Sequence, residues 1–227
     1  MSTSGDTTFS ISESDLIKDA MSLIGELDAG EEPSHDDYQL CRRFLNMLVK
    51  LMATKANLWV TTNVDHTLIP GTESYTVGTG LDVDTPKPMR LTYAMRTDSN
   101  DIPIEVVSRD EYMTLPTKST QSACLKVYYD RQLANGVLYC WPTGDTNNTA
   151  LTLTFKRPLE DFDDNANTPD LPQEWYMPLV YNLAVKIAPL FKATIDSKLK
   201  LEAEQMLLDV EMFDEEDVSI FFQPASR

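Results

Sequence analysis

The stretch Lys126-Val-Tyr-Tyr-Asp130, Ala134-Asn-Gly136, Val137-Leu-Tyr-Cys-Trp-Pro142 reads as two strands around a tight turn. Tyr, Val and Trp favour a pleated, half-buried surface, and Asn135-Gly136 is a hairpin signal because both residues tolerate positive φ. Leu151-Thr-Leu-Thr-Phe155 alternates as a further strand and leads into the acidic Arg157-Pro-Leu-Glu-Asp-Phe-Asp-Asp164. The period then changes. After Leu171-Pro-Gln-Glu-Trp-Tyr176 comes Leu179-Val-Tyr-Asn-Leu-Ala184, and from Glu174 onward Trp175, Leu179, Tyr181, Leu183, Ile187 and Leu190 recur at helical spacing. Pro178 falls about one turn in, where a missing N–H costs little, and Pro189 ends or kinks the helix. Within these residues the chain passes from strands to helix, so the two element types are segregated.

Working outward, Ser12 is a helix cap with Asp15 three residues on, followed by Leu16, Ile17, Ala20, Leu23, Ile24 and Leu27 on one stripe. Gly30 is the expected stop. Ser34 repeats the start signal, and Tyr38, Cys41, Phe44, Leu45, Leu48, Leu51 and Met52 form the next stripe. The short linker predicts an antiparallel helix pair. Expected strands are Leu58–Thr62, Glu73–Val77, Met89–Arg96, Ile104–Val107, Leu125–Asp130, Val137–Trp141 and Leu151–Phe155, with a short Ser108-capped helix to Thr114. A last helix carries Ile195, Leu199, Ala203, Met206, Val210 and Phe213 at three- and four-residue spacing.

Two helices, then strands, then two helices predict an α+β protein. Its N- and C-terminal helices form a helical bundle, and an antiparallel β-domain is inserted between them. The expected divisions are a flexible leader at 1–11, the bundle at 12–57 and 157–213, the β-domain at 58–156 and a C-terminal tail at 214–227.

The 227 residues are 42% hydrophobic, which suits a folded chain with a proper core. The net charge of −17 argues against gripping nucleic acid phosphates or an anionic membrane surface. Cys41, Cys124 and Cys140 are odd in number with no CxxC spacing, so a disulfide framework is not expected and a reducing compartment is the simpler reading. The first residues lack the pattern of a signal peptide, and no apolar run approaches the ~20 residues of a membrane span, so no membrane anchor is expected.

No catalytic, cofactor-binding or metal site is read from the motifs. Glu160, Asp161, Asp163, Asp164 and Asp170 could be a metal site or a glycosidase carboxylate pair, but the calcium-loop pattern is absent and a solvated loop whose acids favour the next helix N-terminus is the preferred reading. His35 and His66 have no partner at ligand spacing and read as surface residues, His66 in a loop. Gly78-Thr-Gly80 lacks the strand–turn–helix setting of a phosphate loop and reads as a turn. Tyr128, Tyr129, Tyr139 and Trp141 could stack on bases, but no basic stripe accompanies them, so β-sheet core is expected. Cys41 reads as a core residue.

The tail carries its own signal. Glu202, Glu204, Asp209, Glu211, Asp214, Glu215, Glu216 and Asp217 are followed by Val218-Ser-Ile-Phe-Phe222. This apolar run either folds back on its own domain or docks on a partner, with Val218, Ile220, Phe221 and Phe222 as the docking residues.

The hairpin, the Arg157–Asp164 and Leu171–Tyr176 segments and the helix to Ala188-Pro189 resemble, in that order, the head-to-tail adaptor family of short-tailed bacteriophages, also called tail accessory factors and typified by the P22 protein. Ala20–Gly25, Phe44–Leu48, Tyr75–Gly78, Pro88–Leu91 and Ser108–Tyr112 extend the resemblance over roughly residues 12 to 192. It implies a structural virion protein, not an enzyme. The implied partners are the portal protein, tail proteins of the nozzle, needle or tubular kind, and further copies of itself in a twelvefold ring. Genomic DNA would pass through that ring without specific binding. The implied location is the head-tail junction of the virion, after assembly in the host bacterial cytoplasm. Because family members have been assigned a cell-wall-degrading role, the alternative is a tail-associated peptidoglycan hydrolase.

Overall fold

The computed structural model describes residues 5–28, 30–55, 60–97, 100–147 and 149–214. In chain order the elements are α1 (Glu13–Leu23), α2 (His35–Lys55), β1 (Thr61–Thr67), β2 (Ser74–Gly78), β3 (Val83–Asp84), β4 (Arg90–Arg96) and β5 (Ile102–Val106). There follow α3 (Arg109–Thr114), β6 (Lys126–Arg131), β7 (Gly136–Trp141), β8 (Ala150–Lys156), a 3-10 turn (Gln173–Trp175), α4 (Tyr176–Ile187) and α5 (Ser197–Phe213). The class is α+β. The chain divides into two compact units, Met1–Trp59 with Leu159–Arg227, and Val60–Pro158.

The helices start where their side chains can satisfy free backbone N–H groups. The Ser12 hydroxyl accepts from the Asp15 N–H at 3.2 Å and donates to the Asp15 carboxylate at 2.6 Å. Ser34 repeats both bonds with Asp37, and Ser108 accepts from the Glu111 N–H. The stop of α1 lies earlier than Gly30. The helix ends at Leu23, and Gly25, at φ +73°, takes the left-handed conformation just beyond it.

In the helical unit α1 and α2 each pack chiefly on α4 and touch each other only slightly, so the sequence expectation of a closely paired α1–α2 hairpin is corrected. Leu16, Ile17 and Ala20 of α1, Leu45 and Met52 of α2, and Trp175, Leu179, Leu183 and Ile187 beside them are all buried. Phe44 is only half-buried and Leu51 is exposed, while Val49 and Ala53 are buried instead. The α5 stripe is covered in part: Ala203 is buried, Ile195, Leu199, Met206 and Val210 are half-buried, and Phe213 at its end is 79% exposed. Asn182 of α4 links the two helices, since its amide donates to the Ala203 carbonyl at 3.0 Å as well as to the Pro178 carbonyl of its own helix at 2.8 Å.

One buried charge pair joins three parts of this unit. Glu13, at the start of α1, has a fully buried side chain, and its Oε1 accepts from Arg42 Nε of α2 at 2.7 Å. The same guanidinium donates to the Asp163 carbonyl at 3.1 Å and to Asn165 Oδ1 at 2.7 Å, and it lies over the Tyr38 ring. The backbone of α1 adds two bonds to the same loop, from the Glu13 N–H to the Asn167 carbonyl and from Ser14 to Asn165. One turn along α2, Asn46 makes a reciprocal pair with the Phe162 backbone at 2.8 and 2.9 Å, and Lys50 reaches the Leu159 carbonyl.

The second unit is one eight-stranded sheet in the order β1-β8-β4-β5-β6-β7-β2-β3. It is mixed, and not antiparallel as expected from the sequence. β5 and β6 run parallel, as do β2 and β3. Parallel neighbours need a crossover, and α3 with the residues after it supplies one between β5 and β6. The terminal strands β1 and β3 also touch, so the sheet curls toward closure around Leu68, Val77, Val127, Leu138, Leu153 and Phe155. The first strand lies later than expected, at Thr61–Thr67, because its alternation pairs with β8: Thr152 and Thr154 hydroxyls bond Asp65 and Asn63 across the ladder.

His66 therefore belongs to a strand, not to a surface loop. Its ring stands edge-on to Tyr75 at 4.4 Å, and its Nε2 is buried without a hydrogen-bond partner. Gly136 departs from its sequence reading too. Neither it nor Asn135 has positive φ. The position needs glycine because the Tyr129 ring occupies the space a Cβ would fill. That ring is then held against Phe155, with its hydroxyl donating to the Pro88 carbonyl at 2.9 Å.

Three outcomes are expected. Arg42→Met leaves Glu13 buried without its counter-charge and should cost about 3–5 kcal/mol in urea unfolding, whereas the double variant Glu13→Gln/Arg42→Met should cost clearly less. Gly136→Ala forces Tyr129 out of place and should cost about 1–3 kcal/mol in the same measurement. Burial holds His66 below its ordinary value of 6.5, outweighing the pull of Asp82. The unfolded chain then binds the proton first, so this contribution to stability is complete above that value and is lost as pH falls through the folded pKa. Unfolding midpoints of His66→Phe should accordingly decline less between pH 7 and pH 5 than those of the parent.

Candidate docking surfaces

The acidic loop before α4 is built as a structural element. Asp163 Oδ1 accepts from the Asn167 amide, Asp164 Oδ1 from the Ala166 N–H, and Asp170 Oδ2 from the Glu160 N–H. Asp161 pairs with Lys50 at 2.7 Å, both side chains about half exposed. The loop's own backbone is the target of Arg42, Asn46 and Lys50. Among the described residues no group of three or more His, Cys, Asp or Glu is arranged to hold a metal ion. These carboxylates cap turns and fix the path of the chain between Leu159 and Leu171.

The hairpin tyrosines divide between the two faces of the sheet. Tyr129 lies in the main core, while Tyr128 and Tyr139 stack at 5.7 Å on the other face beneath Tyr112 of α3. Lys118 caps this layer. It lies over the Tyr112 ring at 4.3 Å, and its ammonium donates to the Tyr112 and Leu115 carbonyls. Burial pushes the Tyr112 hydroxyl up to about 12. The Trp141 indole N–H donates to the Pro116 carbonyl at 3.0 Å. These rings are packed against each other and against α3, as the sheet-core reading requires. Cys41 is buried and its thiol is pushed up to about 11, first by burial and then by Asp37. Cys124 and Cys140 are buried together in the sheet core.

Two apolar surfaces of the helical unit are uncovered. Beside the contact of α1 with α4 is an open groove of about 600 Å³ lined by Phe9, Leu23, Tyr176, Met177, Val180 and Tyr181. Its shape arises from the helix faces, because Leu23, Met177 and Tyr181 sit off the buried stripes of α1 and α4. Phe9 forms one wall. The segment before α1 is tied down by the Gln173 amide, which donates to the Thr7 carbonyl at 2.9 Å, and the Phe9 ring stands 6.1 Å from that of Tyr176. The second apolar surface is on α5, where Leu201, Leu208, Met212 and Phe213 are all more than half exposed. Spacing alone indicates neither surface. Helical period shows that a stripe is apolar but not whether a neighbour covers it. The sequence-derived docking residues Val218, Ile220, Phe221 and Phe222 lie outside the described residues.

Among the described residues no helix is long and apolar enough to cross a membrane. Comparison with curated proteins gives no match. A family model does match, that of the SU10 adaptor protein, over residues 11–217. It spans both units and α5, and so includes the segments on which the head-to-tail adaptor resemblance rests while extending beyond them. On that match the chain belongs to the SU10 adaptor protein family.

Proposed function

We propose that the protein is a structural component of a bacteriophage virion, a head-to-tail adaptor that assembles as a ring below the portal. The observation that carries this reading is the family match, which covers both folded units. In the ring, twelve copies would extend the DNA channel and present a platform for tail proteins. Assembly would take place in the host cytoplasm. The surface chemistry supports a protein that binds protein. The apolar groove and the uncovered face of α5 supply hydrophobic contact, and exposed patches of this kind on a folded chain mark interaction sites. The charge of −17 suits a channel wall. Carboxylates facing the lumen repel phosphates, so the genome passes without adhering. Salt at ~0.1 M screens over about 10 Å, so only residues close to the DNA matter for this. Head-to-tail contact of one copy with the next closes a ring when the rotation between copies divides a full turn.

Val218, Ile220, Phe221 and Phe222 are proposed to dock on the portal or on a neighbouring copy in the assembled particle. Burying each large side chain gives ~1.5–3 kcal/mol, which offsets the cost of ordering a short segment.

The ring reading is tested by mixing purified protein with portal rings and monitoring co-migration on size exclusion. A complex whose mass corresponds to one ring of copies per portal is expected, and separate elution of the two proteins would contradict the assignment. Deleting residues 218–227 should leave thermal unfolding unchanged and weaken portal binding at least tenfold. Unchanged affinity would remove the tail from the interface. In peptidoglycan zymography the protein should leave no cleared band. Clearing that disappears in Glu160→Gln or Asp161→Asn would favour a hydrolase instead.

A further inference from the structure

The sheet core holds two thiols that the adaptor reading leaves without a role. Cys140 lies on β7, and Cys124 lies two residues before β6. Both side chains are fully buried, among Val127, Leu138, Leu153 and Phe155. Simple alternation does not bring them together. Cys140 pairs in register with Val127 and shares its face, while Cys124 stands three residues before Val127, on the opposite face of a regular strand. A β-bulge changes this. Leu125 and Lys126 both face Trp141: the Leu125 N–H donates to the Trp141 carbonyl at 3.1 Å, and Lys126 is the register partner of Trp141. Two residues opposite one shift the alternation by one position. Leu125 therefore points outward, 54% exposed, and Cys124 turns into the core on the same face as Cys140.

There the two thiols meet. The Cys140 thiol donates a hydrogen bond to the Cys124 sulfur. Cys124 Sγ also lies 3.5 Å from the Lys126 carbonyl oxygen and 4.0 Å from that of Trp141, which fixes its position beside β7. The contact makes the pair unequal. The Cys140 thiol, with the positive charge of Arg96 in support, holds the Cys124 thiol below its ordinary value of 9.0 despite burial. The same contact, together with burial, pushes Cys140 well above it. The thiolate is the nucleophile, so Cys124 reacts first and Cys140 is placed to resolve. Cys41 belongs to the other unit, and burial, with Asp37 adding to it, pushes its thiol up to about 11.

We propose that Cys124 and Cys140 are a redox pair that closes to a disulfide in the folded chain, with hydrogen peroxide as the oxidant, and so clamps the entry of β6 to β7. The Cys124 thiolate attacks one peroxide oxygen. The O–O bond breaks, the other oxygen takes the proton released by Cys124 and leaves as water, and Cys124 becomes a sulfenic acid. The Cys140 sulfur then attacks the Cys124 sulfur. The S–O bond breaks, and the second oxygen leaves as water with the Cys140 proton. Two thiols are thereby oxidised to one disulfide, and the peroxide is reduced to two waters. The new bond closes a loop that contains the whole β6–β7 turn, so it restricts the unfolded chain while the folded sheet keeps its register. Free thiols suit a chain made in a reducing compartment, and the closed pair suits the same chain once it meets oxidants. The inference concerns the sheet unit alone and does not depend on the adaptor reading.

The test uses the full chain, folded and treated with increasing hydrogen peroxide, then blocked with a thiol reagent and digested with trypsin without reduction. Circular dichroism sets the doses at which the chain stays folded. Cys124 and Cys140 fall in separate tryptic peptides, 119–126 and 132–156. A linked pair of these peptides, lighter than their sum by two hydrogens, is expected at a level at least tenfold above any link to Cys41. The oxidised chain should unfold at a higher urea concentration than the reduced chain, and dithiothreitol should return the midpoint. Dimedone present during the reaction should label Cys124 and not Cys140. The proposal is overturned by absence of the 124–140 link while the chain is folded, by links to Cys41 in equal amount, by a midpoint that oxidation leaves unchanged or lowers, or by dimedone on Cys140 alone. No portal is present in these assays, so failure here is separate from failure of the adaptor reading.

Discussion

The fully buried Glu13 side chain and its partner Arg42 tie three parts of the helical unit together at one point. A lone buried carboxylate would cost several kcal/mol, so the guanidinium must stand at that point. Once there, its remaining donors specify its other neighbours. They meet the Asp163 carbonyl and the Asn165 side chain, which brings the loop before α4 against α1 and α2. The planar fork of Arg serves three partners at once, and a Lys point charge could not. The neighbouring Asn46 and Lys50, on successive turns of α2, continue the same seam to Phe162 and Leu159. A polar seam thus runs along one side of a helix whose other side is buried in Leu and Met.

This seam gives the acidic loop a different meaning from the one its composition first offers. A run of carboxylates before a helix invites a reading as a metal or hydrolase site. Here the side chains accept from N–H groups two to ten residues away, or from Asn and Lys, and hold the loop in the shape that Arg42 then reads. Rigidity in this segment suits an adaptor, whose task is to present fixed surfaces to other proteins. Uncovered apolar residues of the helical unit include those of the α1–α4 groove and of α5, where only Ala203 is buried.

The sheet unit relies on a different device. Its closure brings β1 to β3, and its core is filled by alternating residues of seven strands, with Tyr129 crossing over Gly136 to reach Phe155. The stacked Tyr112, Tyr128 and Tyr139 attach α3 to the outside of the same sheet. Aromatic residues packed on both faces explain why the hairpin reads as rich in Tyr.

By itself the sequence determined the type of most elements and where the serine-capped helices begin. The caps at Ser12, Ser34 and Ser108, the period of Trp175 to Ile187 and the alternation of Val137 to Trp141 are local signals, set by hydrogen bonds and side-chain spacing within a few residues. It also determined the family, through the order of landmark segments from Ala20 to Pro189. Tertiary structure decided which stripes are covered. Along the α5 stripe only Ala203 is fully buried and Phe213 stays exposed, because burial depends on a neighbour that spacing does not name. It also decided strand direction, since pairing β5 with β6 in parallel is a choice between distant segments. And it decided the roles of Gly136 and His66. One is required by the ring of a residue across the hairpin and the other sits at the closing seam of the sheet, so both depend on contacts that exist only once the chain has folded.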